Sequence, residues 1–361
     1  MHERACVFFV PNILEKIVKN FDWLRRGNML RYTWKLLKEI LFPSIQNAWK
    51  EFFIAMIIGI DHGFGYIKTA HSSFAVNVKE WSVEPPLKTR VLKYDGKYYT
   101  FGADRQNVQR DSKVKTPTYY LLTLGAIAEE LKYYNRTEAN LIIGAGLPLT
   151  RFGAEKNEFR QYLLQNSEVA FDYEGKHYKV KISDVRLFPQ GYAAIIRDMA
   201  KLLAGEQEAL LVDMGSWTVD VLPIANNIPN MDKCKSEHLG VIRAIDAIKE
   251  EVRRKYGTGI SELKIQSIMR GEQVRIDTEC HQLIEDAIRR YATEVMTMLR
   301  DTYEMAYTPL IICGGGSCII ENFYDYNKEM TTIITDIAAN AKGYEYLVGQ
   351  QEKAKKKQKA Q

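Results

Sequence analysis

Ile57-Ile58-Gly59-Ile60-Asp61-His62-Gly63-Phe64-Gly65-Tyr66-Ile67-Lys68 and Leu210-Leu211-Val212-Asp213-Met214-Gly215-Ser216-Trp217-Thr218-Val219-Asp220 share one pattern. Each is an apolar run that ends in an aspartate, passes through small residues and resumes as a second apolar segment, which predicts strand, tight turn and strand. Gly63, Gly65 and Gly215 carry no Cβ and tolerate positive φ, so N–H groups of the turn can face inward and approach a polyphosphate. Asp61 and Asp213, at the strand ends, would repel that anion unless a divalent cation stands between, held through its water shell. A single Asp-x-Gly turn also serves an ordinary hairpin. Two copies in one strand context point to phosphate with Mg²⁺, and the repeat reads as an internal duplication in which each copy opens one lobe.

A third element lies further on. Thr308-Pro309-Leu310-Ile311-Ile312-Cys313-Gly314-Gly315-Gly316-Ser317 predicts a buried strand, three glycines and a helix start. Glycines after an apolar strand let a flat ring or a sugar lie on the backbone, and a helix N-terminus favours negative charge. Alone this could be a flexible loop; after the two turns it reads as a nucleoside shelf.

In this order the three segments resemble the phosphate-one, phosphate-two and adenosine segments of the actin-like ATPase superfamily. Leu141-Ile142-Ile143-Gly144-Ala145-Gly146-Leu147-Pro148-Leu149 resembles its Gly-Leu-Pro strand end, and Arg186-Leu187-Phe188-Pro189-Gln190-Gly191-Tyr192-Ala193-Ala194 its first connecting segment. The likeness spans roughly residues 56–350 and is closest to plasmid-segregation actins of the ParM/StbA type and related archaeal and Gram-positive actin-like proteins, on the Asp-x-Gly-x-Gly-x-x-Lys opening and the Phe-Pro-Gln-Gly segment.

That resemblance implies an α/β fold of two RNase H-like lobes with a nucleotide cleft between them. It implies ATP or ADP with Mg²⁺ as ligands, GTP remaining open. Asp61 and Asp213 would hold the metal through water. Gly63, Phe64, Gly65, Gly215, Ser216, Trp217 and Thr218 would bind the phosphates largely through backbone N–H groups, and Gly314, Gly315 and Gly316 would carry the nucleoside. Lys68 would place a point charge near the β-phosphate, against the alternative of an ordinary strand-end lysine. Gln190 stands where relatives orient the attacking water; an amide cannot accept the proton as a base, which suits slow hydrolysis. Two departures stand out: Phe64 and Gly65 replace the hydroxyl residue that many actins carry, and Trp217 is bulky for its turn, either packing under the hairpin or lying across the cleft.

The implied activity is a slow ATPase coupled to polymerisation into filaments, with self-association, a possible DNA-binding adaptor protein and plasmid partition as cargo logic. A small-molecule kinase of the same superfamily, or a membrane-associated actin-like scaffold, is the alternative. A kinase would need a catalytic Asp and larger insertions, for which the core is short.

At 361 residues and 46% hydrophobic content the chain is large enough for two lobes. No run approaches the ~20 apolar residues of a membrane span. The cysteines, Cys6, Cys234, Cys280, Cys313 and Cys318, lack paired metal spacing, and a reducing cytoplasm is the expected setting. Cys313 and Cys318 are expected as small buried fillers. Residues 1–55 hold nine Lys or Arg against five Asp or Glu, and residues 352–361 five Lys against one Glu, so each carries +4 and the remainder −3 of the total +5. The core therefore predicts no direct nucleic-acid contact.

Five segments are expected: 1–55, a basic amphipathic extension; 56–201, lobe I; 202–330, lobe II; 331–350, a returning helix; and 351–361, a lysine-rich disordered tail. The extension carries three of the five tryptophans and suits a membrane surface or partner, or else derives from an upstream start before Met56. Turns at Asp95-Gly96 and Glu174-Gly175 predict hairpins at the outer edges of lobe I. Helices are expected over 119–134, 191–203, 241–256, 279–307 and 331–349. Base-selecting carboxylates and amides are expected on helices, some within 237–250.

Overall fold

A computed structural model of the chain describes residues 55–102, 113, 114 and 116–360. The expectations for residues 1–54 lie outside the described residues.

Strands buried on both faces read as continuous apolar runs, and these runs form the parallel centres of two sheets. The first sheet holds β1 (Met56–His62), β2 (Tyr66–Lys68), β3 (Ser73–Ala75), β4 (Val78–Trp81), β5 (Val91–Tyr94), β6 (Lys97–Phe101), β7 (Glu138–Leu147), β8 (Glu168–Tyr173) and β9 (Lys176–Pro189), in the order β3-β2-β1-β7-β9-β8-β5-β6-β4. β1, β7 and β9 run parallel, with Met56 opposite Leu141 and Leu141 opposite Ile182. The second sheet is β12-β11-β10-β14-β15, built from β10 (Glu208–Met214), β11 (Val219–Ala225), β12 (Ile228–Pro229), β14 (Leu310–Cys313) and β15 (Thr331–Ile333), with β13 (Lys235–Glu237) added beside β11. β10, β14 and β15 are its parallel trio. The duplication is thus visible in register: β1 folds back on β2 with Asp61 opposite Lys68, and β10 folds back on β11 with Asp213 opposite Asp220.

Both predicted two-residue turns form with left-handed backbone, Asp95 at φ 49° before Gly96 at 74°, and Glu174 at 51° before Gly175 at 78°. Such turns match the twist of their strands. The β8–β9 hairpin is not at an outer edge, however, because β9 is 14 residues long and its later part pairs with β7.

The helices are α1 (Thr118–Tyr133), α2 (Leu149–Leu163), α3 (Tyr192–Ile195), α4 (Met199–Leu202), α5 (Val241–Tyr256), α6 (Glu262–Met269), α7 (Thr278–Thr302), α8 (Ser317–Phe323) and α9 (Ala339–Ala360). α5 has the expected bounds: Ile242, Ile245, Ile248 and Val252 bury one stripe, and Gly257 closes the helix at φ 68°. α7 begins on the Asp277 cap, whose carboxylate accepts from the N–H groups of Glu279 and Cys280, and it stops at Thr302 rather than Tyr307.

Three other expectations are corrected. Residues 191–203 form two short helices because Asp198 leaves helical geometry at φ −109°, ψ 5°. Ile195, Met199 and Leu203 of this segment pack with Leu211, Leu222 and Ile311, so its core is that of the second sheet although it was assigned mostly to lobe I. Residues 331–333 are not helical but form the edge strand β15. The lysine-rich end, expected to be unstructured, continues as α9, and Arg186 ties to Glu352 within it.

α9 lies against the first sheet at a row of glycines. A Cβ on Gly59 would strike the Ala341 carbonyl, and one on Gly144 would lie 2.9 Å from Tyr344 Cβ. The Tyr344 ring covers Gly146 and is itself fully buried. At the start of the same helix Asn340 donates to Asp213 Oδ2 at 3.1 Å, so α9 touches both sheets.

Candidate functional site

The turns after β1 and β10 meet: a Cβ on Gly65 would fall on the Ser216 hydroxyl and lie 2.8 Å from Ser216 Cβ. Their peptide orientation follows from what holds the carbonyls. The oxygens of Gly215, Ser216 and Trp217 accept from Val241, Ile242 and Gly240 N–H at 3.2, 3.0 and 3.1 Å. In a trans peptide the next N–H points the other way. The next three N–H groups, on Ser216, Trp217 and Thr218, are therefore turned away from α5, and all three residues line the smaller cavity. The first turn repeats the device: the Gly63 carbonyl accepts from Tyr119 Oη at 3.4 Å and the Gly65 carbonyl from Val76 N–H at 2.9 Å. Gly215 departs from expectation, since its own N–H is committed to the Thr218 carbonyl at 2.9 Å.

Two adjoining cavities result. The smaller, about 30 Å³, is lined by Gly63, Phe64, Lys113, Pro148, Gln190, Asp213, Gly215, Trp217, Thr218 and Asp220. The larger, about 450 Å³, lies between Gly65, α5, α6, Gly314 and α8, a size typical of small-molecule sites. Tyr66, Lys68, Ser216 and Gly315 line both. Asp61 and Gly316 line neither. Asp61 is buried and accepts from Lys68 Nζ at 3.3 Å, and Gly316 N–H donates to the Met214 carbonyl at 2.9 Å. Trp217 turns its ring toward His238, 6.3 Å between centroids.

Electrostatics concentrate on the aspartates. Burial, then the Asp220 and Asp61 carboxylates, push Asp213 up to about 6 against the pull of Lys68 and Asn340. Asp220 is also raised by burial, while Ser236 and Thr218 donate to it. Burial works against the charge on Lys68, yet Asp61 and Asp213 together hold it above the ordinary lysine range. Burial and the neighbouring carboxylates thus disfavour the charged form of Asp213, a penalty that an added cation would relieve. Among the described residues no group of three or more His, Cys, Asp or Glu is placed to hold a metal ion.

Gln190 follows the end of β9, its N–H held by the Leu147 carbonyl at 2.9 Å, and Gly191 at φ 76° donates to Asn340 Oδ1 at 2.9 Å. Gly314, at φ 89°, sits so close to Asp213 Oδ1 that no side chain fits. Cys313 is buried as expected, but Cys318 is half-exposed and lines the larger cavity.

The polar groups of the larger cavity were largely missed in the sequence. Within 237–250 only the apolar Val241, Ile242 and Ile245 line it; Glu262, Gln266, Arg270, Glu321 and Asn322 are among the residues that supply its polar atoms. Tyr66 Oη donates to Gln266 Oε1 at 3.0 Å, joining β2 of the first sheet to α6, which packs on the second. Lys113 and Asn340 were also missed, and neither stands in a local pattern that would mark it.

Comparison with known proteins matches this arrangement. Residues 59–192 match the family described as actin like proteins N terminal domain, and residues 211–325 the family described as archaeal actin homologue MreB-like, C-terminal. An archaeal actin homolog of Thermoplasma acidophilum is 25% identical over 297 residues, covering 75% of this chain and 90% of that protein. A crystal structure of an archaeal actin homolog in complex with ADP superposes with a TM-score of 0.64 at 22% identity, covering 82% of this chain and 99% of the other. ParM of Bacillus thuringiensis with AMPPNP gives 0.61 at 15% identity, covering 82% and 99%.

Proposed function

The chain belongs to the actin-like ATPase family, and from that premise we propose that it binds ATP with Mg²⁺ between its two lobes, hydrolyses it slowly and polymerises into nucleotide-dependent filaments that segregate DNA. The observation that supports this best is the opposed pair of turns, with Gly65 on Ser216 and the carbonyls of Gly215, Ser216 and Trp217 held by α5 N–H groups and Gly240 N–H, so that the next N–H groups face away from that helix in residues that line one cavity. Successive backbone donors of this kind form an anion cradle. The phosphates would lie along the two turns where the cavities adjoin, their end toward the smaller one, and the nucleoside in the larger, with Gly314 and Gly315 beneath it. Asp61 and Asp213 would hold a hydrated Mg²⁺, which supplies charge neutralisation to the phosphates. Gln190 would orient the attacking water without accepting its proton, so turnover is slow.

Filaments follow from head-to-tail self-association whose symmetry does not close. No helix among the described residues is long and apolar enough to cross a membrane. A DNA-binding adaptor would link such a filament to its cargo.

Light scattering, electron microscopy and phosphate release on the full chain with ATP, ADP and no nucleotide test the proposal. Fibres with ATP and slow phosphate release are expected. Phosphate transfer to a small hydroxyl acceptor without any polymer would replace it with a kinase.

A further inference from the structure

Lys113 is 6% exposed, and its Nζ donates to the carbonyl of His62, the last residue of β1 before the first turn. The Phe64 ring of that turn lies 5.0 Å from the ammonium and the Tyr119 ring 5.8 Å. Among the described residues no carboxylate lies within ion-pair distance of it. A buried ammonium held by one carbonyl and aromatic faces is costly unless an anion completes its shell.

The two cavities order the groups along the cleft. Lys68 lines both, so it stands at their junction, whereas Lys113 and Gln190 line the smaller one and not the larger. Lys68 is also already matched by Asp61 at 3.3 Å. Resting on the nucleotide reading above, we infer that Lys113 is a specificity-determining residue for the third phosphate, so that the site tells a nucleoside triphosphate from a diphosphate by whether this ammonium has an anionic partner.

The carbonyl of His62 and the terminal phosphate would compete for one ammonium. Moving Lys113 toward the phosphate withdraws a donor from the base of the first turn, which ties the number of phosphates to the state of the β1–β2 hairpin. Burial, opposed by Asp61, brings the group down to about 8, so near neutral pH it is still mostly charged and ready for this role.

The test compares AMPPNP with ADP on the full chain by calorimetry. Lys113→Met should weaken AMPPNP by about tenfold or more, the equivalent of one charge-assisted hydrogen bond, and leave ADP within about threefold; Lys113→Arg should keep the discrimination. Equal losses for both ligands, or no loss, would overturn the inference. A second measurement needs no variant: ATP carrying an acyl group on its γ-phosphate acylates a lysine that touches it. The neutral amine fraction attacks the acyl carbon, the C–N bond forms, the acyl–phosphate C–O bond breaks, ATP leaves with the bonding pair, and the amine's proton passes to solvent. Peptide mapping of the unmodified protein should find the label on Lys113, suppressed by excess ATP; label on Lys68 alone overturns the assignment. Wild-type protein that binds neither ADP nor AMPPNP would instead defeat the nucleotide reading itself.

Discussion

Gly314→Ala puts a side chain where the structure has no room. The residue sits at φ 89°, and a Cβ there would lie 2.7 Å from the Met214 carbonyl oxygen, 2.9 Å from its carbon, and closer still to Asp213 Oδ1. Two costs add. Holding an L-residue in that backbone region costs about 1–2 kcal/mol. Displacing a close-packed strand end costs about 1–3 kcal/mol more, because two of the obstructing atoms are backbone. The sum is about 2–5 kcal/mol. A folded unit of residues 56–361 with an unfolding entropy of about 2.1 cal/mol/K per residue loses about 1.6 °C per kcal/mol, hence a melting point lower by about 3–8 °C. Gly315 supplies the control, since a Cβ there meets nothing within 4 Å. Gly315→Ala should melt within about 1 °C of the parent. Differential scanning calorimetry of the three nucleotide-free proteins decides the matter: equal melting points for Gly314→Ala and Gly315→Ala would refute the close-approach argument.

Asp213 gives a pH prediction with a definite sign. Its folded value of about 6 lies above the ordinary Asp range, so protonation favours the folded state, and its contribution makes the nucleotide-free protein lose stability as pH rises from about 4 to about 6. Asp213→Asn should therefore raise the nucleotide-free melting point at neutral pH, on the order of 1–3 kcal/mol, while abolishing hydrolysis; a fall in melting point would contradict the charge-repulsion account. Gln190→Ala should cut phosphate release by about a hundredfold with ADP affinity unchanged, and a parallel loss of ADP binding would show that Gln190 acts as a ligand instead. Tyr344 is fully buried with no hydrogen-bond partner for its hydroxyl among the described residues, so Tyr344→Phe should stabilise by about 1 kcal/mol in urea titration, and destabilisation would reveal a hidden partner.

What could be read in the sequence was local. The turns at Asp61 and Asp213 announce themselves because strand, aspartate and glycine lie within a dozen residues, and α5 because its stripe and its closing Gly257 are contiguous. The break at Asp198 was hidden because Ile195, Met199 and Leu203 keep helical spacing across it. Residues 331–333 read as the start of a helix because an edge strand three residues long carries too little alternation to show. The larger cavity was the least legible part. Tyr66 and Gln266 lie 200 residues apart, and neither has a periodicity or motif that would pair them. Lys113 was invisible for the same reason: its role is conferred by where the chain brings it, beside His62 and Phe64.

The docking of α9 on the glycine row sets an order of events during synthesis. Gly59 N–H donates to Glu345 across 286 positions of sequence, and the nearest atoms over Gly59, Gly144 and Gly146 all belong to that late helix. A ribosome making the chain from its N-terminus therefore leaves one face of the first sheet's parallel centre uncovered through the whole production of the second, while α1 and α2 can already cover the other. Cotranslational folding can proceed through both hairpins, but closure waits for the last helix, so the newborn chain passes through a long interval in which aggregation competes with completion.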